Sequence, residues 1–465
     1  MRSFTSATLR VAARSSGAGP CAAFAAVLIA ASATGAHANP ADLVPSAGVE
    51  GEPTLFHVHL DYEYQLDKSL IARENAGRAG TDPLGPIPLG RELEFEQFRH
   101  VLTPRAELGI FRDTWLSLAL PIVIGQAREH TLASGADRNG LRSVEDGILP
   151  AGGFDARDPS TPPPGDLMFR GVSRSGLDQL YVGLGVAPMN QRRDDTKPTW
   201  KLGAELRFAV GQVMRFDALA PSSETGVSRG VHELRLWTSV DRKFRWTEGW
   251  FELFYQVPIA SREASLYQDP GFGSTNWRPP QRGGMSAGIE TYVLNDKQTG
   301  NRISLDLGAR VIAHFEGRDY SEMWEIFANA GDSRTATNPL ILDRDPTEMG
   351  LQAMSHPGIS NVENYLETGG RIAVRAALGR HVRFAASVDL RWKTDHVITF
   401  ADAGIDLPTC GQGASPCEDS TNDVVNPGTR EVNPVHVPRI DLVGHRYLSR
   451  DNFGVVIGVE AQALF

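Results

Sequence analysis

The chain has 465 residues and a formal net charge of −10 at pH 7, and this acidic balance disfavours nucleic acid as a partner. Beyond the N-terminus, no uninterrupted apolar run reaches the roughly 18 residues that a membrane-spanning helix needs. Overall hydropathy is that of a soluble protein, but the strands of a membrane β-barrel are only half apolar and would escape that measure.

The N-terminal residues have the pattern of a secretory signal peptide. Arginines precede a short apolar run, "CAAFAAVLIAASA" (Cys21–Ala33), and "AHA" (Ala36–Ala38) is a small-x-small cleavage site. The run has about 13 residues, which is too short to cross a membrane as a helix. The sequence therefore predicts an exported protein, with a signal peptide over 1–38 and a periplasmic N-terminal segment over 39–53.

From Thr54 onward, apolar residues recur at every second position, which indicates extended strands with unlike faces. About 12 such segments, of roughly 9–13 residues each, have the length that crosses a bilayer at a tilt. The predicted strands are Thr54–Leu66, Thr103–Ile110, Trp115–Ile124, Gln179–Ala187, Thr199–Val210, Val231–Val240, Phe251–Ile259, Met285–Leu294, Ile303–Phe315, Gly370–Leu378, Val382–Lys393 and Phe453–Phe465.

Short and long connections alternate between these strands. "FRDT" (Phe111–Thr114) and "GRH" (Gly379–His381) are tight turns, whereas a link of about 35 residues follows the first strand and later links reach about 50, far beyond the loops of compact soluble domains. Outer-membrane barrels carry such loops on one side and short turns on the other. An even number of strands then places both termini on the periplasmic, short-turn side. "YSEMWEIFANA" (Tyr320–Ala330), the stretch nearest to a helical pattern, is interpreted as loop structure or a strand extension.

Alternation alone does not distinguish a soluble β-sandwich from a membrane barrel. Hairpin-linked strands in series favour a barrel, because closure requires them. Aromatic residues such as Trp246 and Phe251 gather at the short-turn ends, where interfacial girdles lie. The predicted fold class is all-β: an antiparallel transmembrane β-barrel over 54–465, with short periplasmic turns and long extracellular loops, in the bacterial outer membrane.

The last strand ends on Phe465, which faces outward by parity. Barrel proteins of diderm bacteria are similar, because their final strand alternates and ends in an aromatic residue that the insertion machinery reads. The resemblance implies that Phe465 is the C-terminal insertion signal and that the barrel-insertion machinery is a partner. The other expected contacts of such a barrel are outer-membrane lipid and lipopolysaccharide.

Charged and polar residues on the opposite parity are expected to line the lumen. Acids and bases are nearly balanced, so they form no ring of one charge of the kind that sets ion selectivity. They either pair across strands and brace the wall or line a polar path for a solute, and the two roles are compatible. The lumen-lining candidates are His57, His59, Asp61, Glu63, Arg105, Glu107, Lys201, Glu205, Arg207, Glu233, Arg235, Glu252, Glu290, Asp306, Arg310, Arg371, Arg375, Asp389, Arg391 and Glu460.

Two rival sites are weighed against this interpretation. Ser355, His356 and Ser360 lie together in "SHPGISN", but in a predicted loop with no orienting acid, so a hydrolase is disfavoured. The two histidines of "FHVHLD" share a strand face with the aspartate that follows, and a lumen-facing polar row is favoured there over a metal site. The sequence therefore predicts a non-enzyme with no catalytic residue, no cofactor and no metal.

Two cysteines remain after processing, Cys410 and Cys417 in "CGQGASPC". They lie close together in a Gly/Pro/Ser-rich segment of an exported protein, which predicts a disulfide that clips a loop. The rival interpretation, a pair of metal ligands, lacks a nearby histidine or third thiol.

Two stretches, "RHVLTPRAELGIFRDTWLSLALPIVIGQ" and "SGLDQLYVGLGVAPMNQRRDDTKPTWKLGAELRFAVGQ", resemble the outer-membrane transporters grouped under the meta-pathway of phenol degradation. In those proteins a Gly-aromatic turn leads into an alternating strand with a late proline, and a "GLxDL"-like start opens the next hairpin. The resemblance implies a channel or transporter for passive uptake of small, hydrophobic or aromatic solutes. The long loops and the cysteine pair depart from that pattern. The alternative is a surface-exposed binding or structural barrel with a plugged lumen.

Overall fold

Antiparallel pairing in chain order closes the strands into a barrel. The computed structural model describes residues 42–48, 55–76, 85–267, 278–296, 298–334, 338–343, 353–401 and 436–465, all within one unit, Ser32–Phe465. Its twelve long strands are β1 (Phe56–Glu74), β2 (Leu89–Phe111), β3 (Thr114–Ala119 and Ile122–Leu132), β4 (Gln179–Met189), β5 (Thr199–Ala209), β6 (Val231–Lys243), β7 (Thr247–Ser261), β8 (Arg282–Asn295), β9 (Arg302–His314), β10 (Tyr365–Leu378), β11 (Val382–Lys393) and β12 (Tyr447–Leu464). Each strand pairs with the next, and β12 returns to β1 from His57↔Leu464 to Arg73↔Tyr447. The predicted all-β barrel is confirmed.

β3 is interrupted at Leu120 and Pro121 because proline has no N–H to donate to the ladder. The remaining elements are short: strands Phe154–Asp155, Leu167–Arg170, Arg174–Leu177, Gly317–Asp319, Leu342–Asp343, Ala353–Met354, Ser360–Val362 and His396–Thr399; helices α1 (Arg142–Glu145), α2 (Trp324–Ala330) and α3 (Pro438–Asp441); and 3₁₀ turns Arg138–Gly140 and Pro221–Ser223. None of the helices among the described residues is long and apolar enough to cross a membrane.

Short and long connections alternate around the barrel, as predicted. The short turns are 112–113, 190–198, 244–246, 296–301 and 379–381, and the long connections are 75–88, 133–178, 210–230, 262–281, 315–364 and 394–446. They define a short-turn end and a long-loop end. The predicted link of about 35 residues after the first strand is wrong, because β1 and β2 extend far toward the long-loop end and pair up to Glu74↔Leu89.

The outward faces of the strands form an apolar belt. Side chains of this belt that are at least one-third exposed include Val58, Leu60, Leu108, Leu118, Val182, Leu184, Leu206, Leu236, Leu253, Met285, Ile289, Leu307, Ile372, Val374, Phe384, Val388 and Leu390. Soluble monomers rarely expose contiguous apolar patches larger than a few hundred Å². A belt that continues from strand to strand around a closed barrel is the lipid-facing surface of a transmembrane β-barrel.

Aromatic residues at the short-turn end divide into two groups. Phe111, Trp246 and Phe465 are exposed by 66%, 52% and 63%, as the side chains of an interfacial girdle would be. Trp115 and Trp250, in contrast, are buried on the inward face. Glycine is needed beside such an inward indole: a Cβ at position 185 would lie 2.3 Å from the Trp115 ring.

The interpretation of Tyr320–Ala330 as loop structure or a strand extension is wrong, because Trp324–Ala330 forms the helix α2. Nearly every residue of α2 is buried, including Glu325. A helix that is covered on all sides has no amphipathic stripe, so its sequence carries no helical period. The helix packs against inward-facing side chains of the barrel at the long-loop end, together with the other long connections.

Candidate functional site: the barrel lumen

The predicted lumen residues all lie on the strand faces opposite the apolar belt, and none of them is exposed. Those that are buried are His57, His59, Glu63, Glu107, Lys201, Glu205, Glu233, Arg235, Glu252, Glu290, Asp306 and Asp389. Those that are half-buried are Asp61, Arg105, Arg207, Arg310, Arg371, Arg375, Arg391 and Glu460. Closure of the sheet brings residues together that are far apart in the chain.

Many of these side chains form ion pairs along the wall. Arg310 Nη2 lies 3.1 Å from Glu367 Oε1 on the neighbouring strand. Lys201 Nζ lies 3.2 Å from Asp241 Oδ1. Charges that are removed from water need such partners, because an unpaired buried charge is strongly destabilising. The pairs fit the bracing role that the sequence left open, and they leave room for a polar path beside it.

Residues 42–48, here called the inner segment, lie across the short-turn end of the lumen. The carbonyl of Asp42 accepts from Lys201 Nζ on β5 at 2.7 Å, and its carboxylate lies 3.1 Å from Arg375 on β10. These strands are on opposite sides of a twelve-strand barrel, so Asp42 bridges the lumen. Val44 is buried in a cluster with Trp115. The sequence assigned this part of the chain to a periplasmic segment; the structure places it against the inner wall.

The turn between β2 and β3 anchors the other end of the inner segment. Ala47 N donates to the Arg112 carbonyl at 2.8 Å, and Ser46 Oγ donates to Asp113 Oδ1 at 2.7 Å. Burial alone would raise the pKa of the Asp113 carboxyl, but Arg193 and the hydrogen bond from Ser46 outweigh burial and hold the pKa below its usual value. The anchoring group is therefore a carboxylate at neutral pH.

A hydrophobic cluster, here called the loop core, lies at the opposite end of the lumen. Its buried members come from inward-facing strand positions, from α2 and from other long connections, and they include Ile71, Leu93, Phe95, Phe169, Ile326, Phe327, Leu340, Phe400, Ile440 and Tyr447. Phe327 packs edge-on against Phe400 and Tyr447, with ring centroids 4.9 and 5.4 Å away. Described parts of the connections 133–178, 315–364 and 394–446 thus fold into the mouth of the barrel.

Buried polar contacts fix the loop core to the wall. Arg174 Nη2 lies 2.7 Å from Glu325 Oε1 of α2, and both side chains are almost fully buried. Burial would raise the pKa of Glu322 in the same connection, but the neighbouring His396 outweighs burial and lowers it. Such pairs hold the loops in one arrangement, because separating them would leave a charge buried and unpaired.

A cavity of about 250 Å³ lies in the lumen between the inner segment and the loop core. Trp250 and Phe254 line it, as do the acids Glu252, Glu367 and Asp389 and the arginines Arg207, Arg282, Arg310, Arg371 and Arg391. In the part of the chain that the structure describes, the Nε atoms of Arg310, Arg371 and Arg391 are buried without a hydrogen-bond partner. Five arginines against three acids give the cavity lining an excess of positive charge.

A second group stands out near the inner segment. His57, His59 and Glu107 are buried, and one ligand-type atom of each lies within 4.8 Å of the others. The sequence placed Asp61 beside the histidines, but the strand register pairs His57 directly with Glu107 of β2. Register is not visible in a single strand's alternation, so sequence reasoning missed Glu107 as their partner.

The three residues considered for a hydrolase do not form a nucleophile–base pair. Ser360 Oγ donates to Ser321 Oγ at 2.6 Å, and Ser355 Oγ shares a hydrogen bond with Ser333. His356 Nδ1 accepts from the Gly358 amide, and burial lowers the pKa of its imidazole well below the usual value. Cys410, Cys417 and the predicted signal peptide lie outside the described residues. The disulfide and the signal peptide therefore remain predictions.

Comparisons with known proteins give matches among solved structures. No family model matches the chain, and no curated protein matches it. The solved structures to which it is similar include an outer-membrane channel from Pseudomonas putida F1, at 9% identity and a TM-score of 0.39, covering 92% of this chain and 100% of that one.

Two further similar structures are a Pseudomonas aeruginosa FadL homologue and the outer-membrane protease OmpT of Escherichia coli. The FadL homologue has 9% identity and a TM-score of 0.31, with 88% of this chain and 90% of that one covered. OmpT has 5% identity and a TM-score of 0.28, with 90% and 99% covered. The matches thus include an outer-membrane channel and an outer-membrane protease. At such low identities and TM-scores, these matches carry no argument about function. The function is therefore inferred from the geometry of the barrel itself.

Proposed function

We propose that the chain is an outer-membrane channel for passive passage of small polar solutes, with anions favoured. The observation that carries the proposal is the apolar belt around a lumen that contains a charged cavity of about 250 Å³. A lipid-covered outer face places the strands across a bilayer. A chain that reaches the bilayer from the periplasm would keep its short-turn end on the periplasmic side.

The cavity refines the kind of solute expected from the family resemblance. Its arginine donors favour a carboxylate or another anion, since guanidinium and carboxylate groups match in geometry and charge. Trp250 and Phe254 offer aromatic surface in the same space. We therefore infer that small aromatic acids fit the lumen better than uncharged hydrophobic compounds do.

The chain segments that lie inside both lumen ends favour a second candidate function. The inner segment bridges the short-turn end through Asp42, and the loop core packs inside the long-loop end. A barrel that stays closed in this way would act as a surface-exposed binding or structural protein. As a channel, it would conduct only when the inner segment or the loops move aside.

Planar-bilayer recording of the mature chain tests the proposal. We expect single-channel openings with a reversal potential that indicates anion preference in a salt gradient. Arg371→Gln removes a cavity cation and should shift the reversal potential toward cations. Arg380→Gln, on an exposed short turn, is the matched control and should leave it unchanged. A silent barrel would overturn the channel and support the second candidate.

Liposome uptake tests the class of solute separately. Benzoate and benzamide have nearly the same size and differ in charge, so a cavity that favours carboxylates should admit benzoate faster. Equal rates for the two compounds in wild type and in Arg371→Gln would contradict anion preference while leaving the channel itself intact.

A further inference from the structure

The histidine cluster at the short-turn end has the composition of a transition-metal site. His57 and His59 lie two positions apart on β1 and therefore project from the same face of the strand. Glu107 is the register partner of His57 on β2. Two imidazoles and one carboxylate are a recurrent ligand set for Zn²⁺ and related divalent metals.

The distances among the three side chains fit a shared ion better than hydrogen bonds. His57 Nδ1 and His59 Nε2 each lie 3.6 Å from the same oxygen, Glu107 Oε2. That separation is too long for a hydrogen bond. Ligands at 2.0–2.2 Å from a tetrahedral metal are about 3.3–3.6 Å apart, and both contacts to Glu107 lie at the upper end of that range.

One of the facing atoms, His59 Nε2, also lacks a hydrogen-bond partner in the part of the protein that the structure describes. Among the described residues, His59 Nε2 is buried and makes no hydrogen bond, although buried polar atoms are usually satisfied. Arg105 Nη1 lies 3.5 Å from the other carboxylate oxygen, Glu107 Oε1. That contact neutralises part of the acid's charge but leaves Oε2 directed at the histidines.

A second carboxylate contacts the His59 ring nitrogen that faces away from the cluster. Glu460 Oε1 lies 3.1 Å from His59 Nδ1. Metal-binding histidines commonly give their distal N–H to a carboxylate, which fixes the tautomer and the ring orientation. With Nδ1 protonated toward Glu460, the lone pair of His59 lies on Nε2 and points at the cluster. Nδ1 of His59 is thus hydrogen-bonded to Glu460, and Nε2 keeps a lone pair that can bind a metal.

Space for a further ligand lies beside the cluster. Glu107 also lines a cavity of about 50 Å³ that borders Asp42 and Val44 of the inner segment. That is enough for a water molecule. Three protein ligands with an open fourth position would let the metal hold a water or a solute group from the lumen.

We propose that His57 Nδ1, His59 Nε2 and Glu107 Oε2 bind one divalent transition metal of the Zn²⁺ class inside the barrel, with Glu460 as the positioning residue of His59. The site joins β1 to β2 near the barrel seam, where β12 supplies Glu460. The proposal does not depend on whether the barrel conducts.

Metal analysis of the untagged mature chain, folded in detergent, tests the site. After incubation with Zn²⁺ and removal of excess ion, we expect one tightly held equivalent per chain. Co²⁺ used as a spectroscopic probe should give the visible absorption of a nitrogen- and oxygen-ligated tetrahedral centre. His57→Gln and His59→Gln should each abolish both signals, and Glu460→Gln should weaken affinity by about 10–100-fold without changing the stoichiometry.

His314→Gln is the matched control. His314 is also a buried lumen histidine facing a carboxylate, with Nε2 at 3.6 Å from Glu367 Oε2, but in the described residues no second histidine joins that pair in a ligand cluster. It should keep the full equivalent of zinc. Heat-dependent gel mobility identifies variants that fail to fold, and these would be replaced by Glu107→Gln. Zinc retained by folded His57→Gln and His59→Gln, or no zinc bound by wild type, would overturn the proposal.

Discussion

Chain segments lie inside both ends of the lumen, but polar contacts hold them at one end and apolar packing holds them at the other. At the short-turn end, charged residues face inward and the inner segment is held by ion pairs and hydrogen bonds, as at Asp42. At the long-loop end, inward positions such as Ile71 and Phe95 are apolar and are covered by α2 and the other long connections. The same inward face of a strand is therefore polar or apolar according to what covers it.

The largest effect is expected in the loop core. Phe327→Ala removes a fully buried ring and should destabilise the packed loops by about 3–5 kcal/mol, because the cavity it leaves is only partly filled. The strands should remain folded, since few of their contacts depend on α2. Limited proteolysis in detergent should show faster cleavage within 315–364 and an intact barrel.

The control for this prediction is an exposed residue of another long connection. Leu219 is 59% exposed, and Leu219→Ala should change stability by no more than about 0.5 kcal/mol. If Phe327→Ala were as resistant to protease as Leu219→Ala, the loop core would not be the structural unit described here.

A somewhat smaller effect is expected on the apolar belt. Leu184 is 51% exposed in the middle of β4, and Leu184→Arg should destabilise the barrel by about 2–4 kcal/mol, because a charge on the lipid face must be taken into hydrocarbon. Denaturant titration in phosphatidylcholine vesicles measures the change. Leu219→Arg places the same charge on a loop and should have little effect; equal losses for the two variants would argue against lipid at position 184.

The smallest effect concerns the anchor of the inner segment. The folded pKa of Asp113 lies below its unfolded value, so its contribution is complete above the unfolded pKa of about 4 and is lost as pH falls through the folded pKa. Protection of the Ala47 amide from hydrogen exchange should decrease over that range. Asp113→Asn should reduce protection at neutral pH, by about 1–2 kcal/mol, and should remove the acid dependence. An unchanged pH profile in that variant would assign the effect to another group.

The comparison of the two ends also explains how far the sequence could be interpreted. Where one strand face meets lipid and the other meets charged groups, alternation is clean, and the strand at Val382–Lys393 was predicted at its observed bounds. Toward the long-loop end, Leu70, Ile71 and Ala72 are all buried, so alternation disappears. The predicted first strand therefore stopped at Leu66, although β1 continues to Glu74.

The candidate site was accessible to the sequence only in part. The parity of β1 identified His57 and His59 as neighbours on one inward face. Glu107 and Glu460 come from β2 and β12, and their positions beside the histidines depend on the register of two strand pairs. A single sequence contains no signal for register between distant strands. For the same reason, nothing in it indicated that Asp42 would bridge the lumen.

The most direct test of the central claim, that lipid covers the apolar belt, is whether the folded state requires an amphiphile. The chain without its predicted signal peptide should show β-structure and heat-dependent gel mobility in detergent micelles or lipid vesicles, and sedimentation in amphiphile-free buffer should show only aggregates. A folded, monodisperse monomer in that buffer would contradict the account, because the belt would then be exposed to water and not covered by lipid.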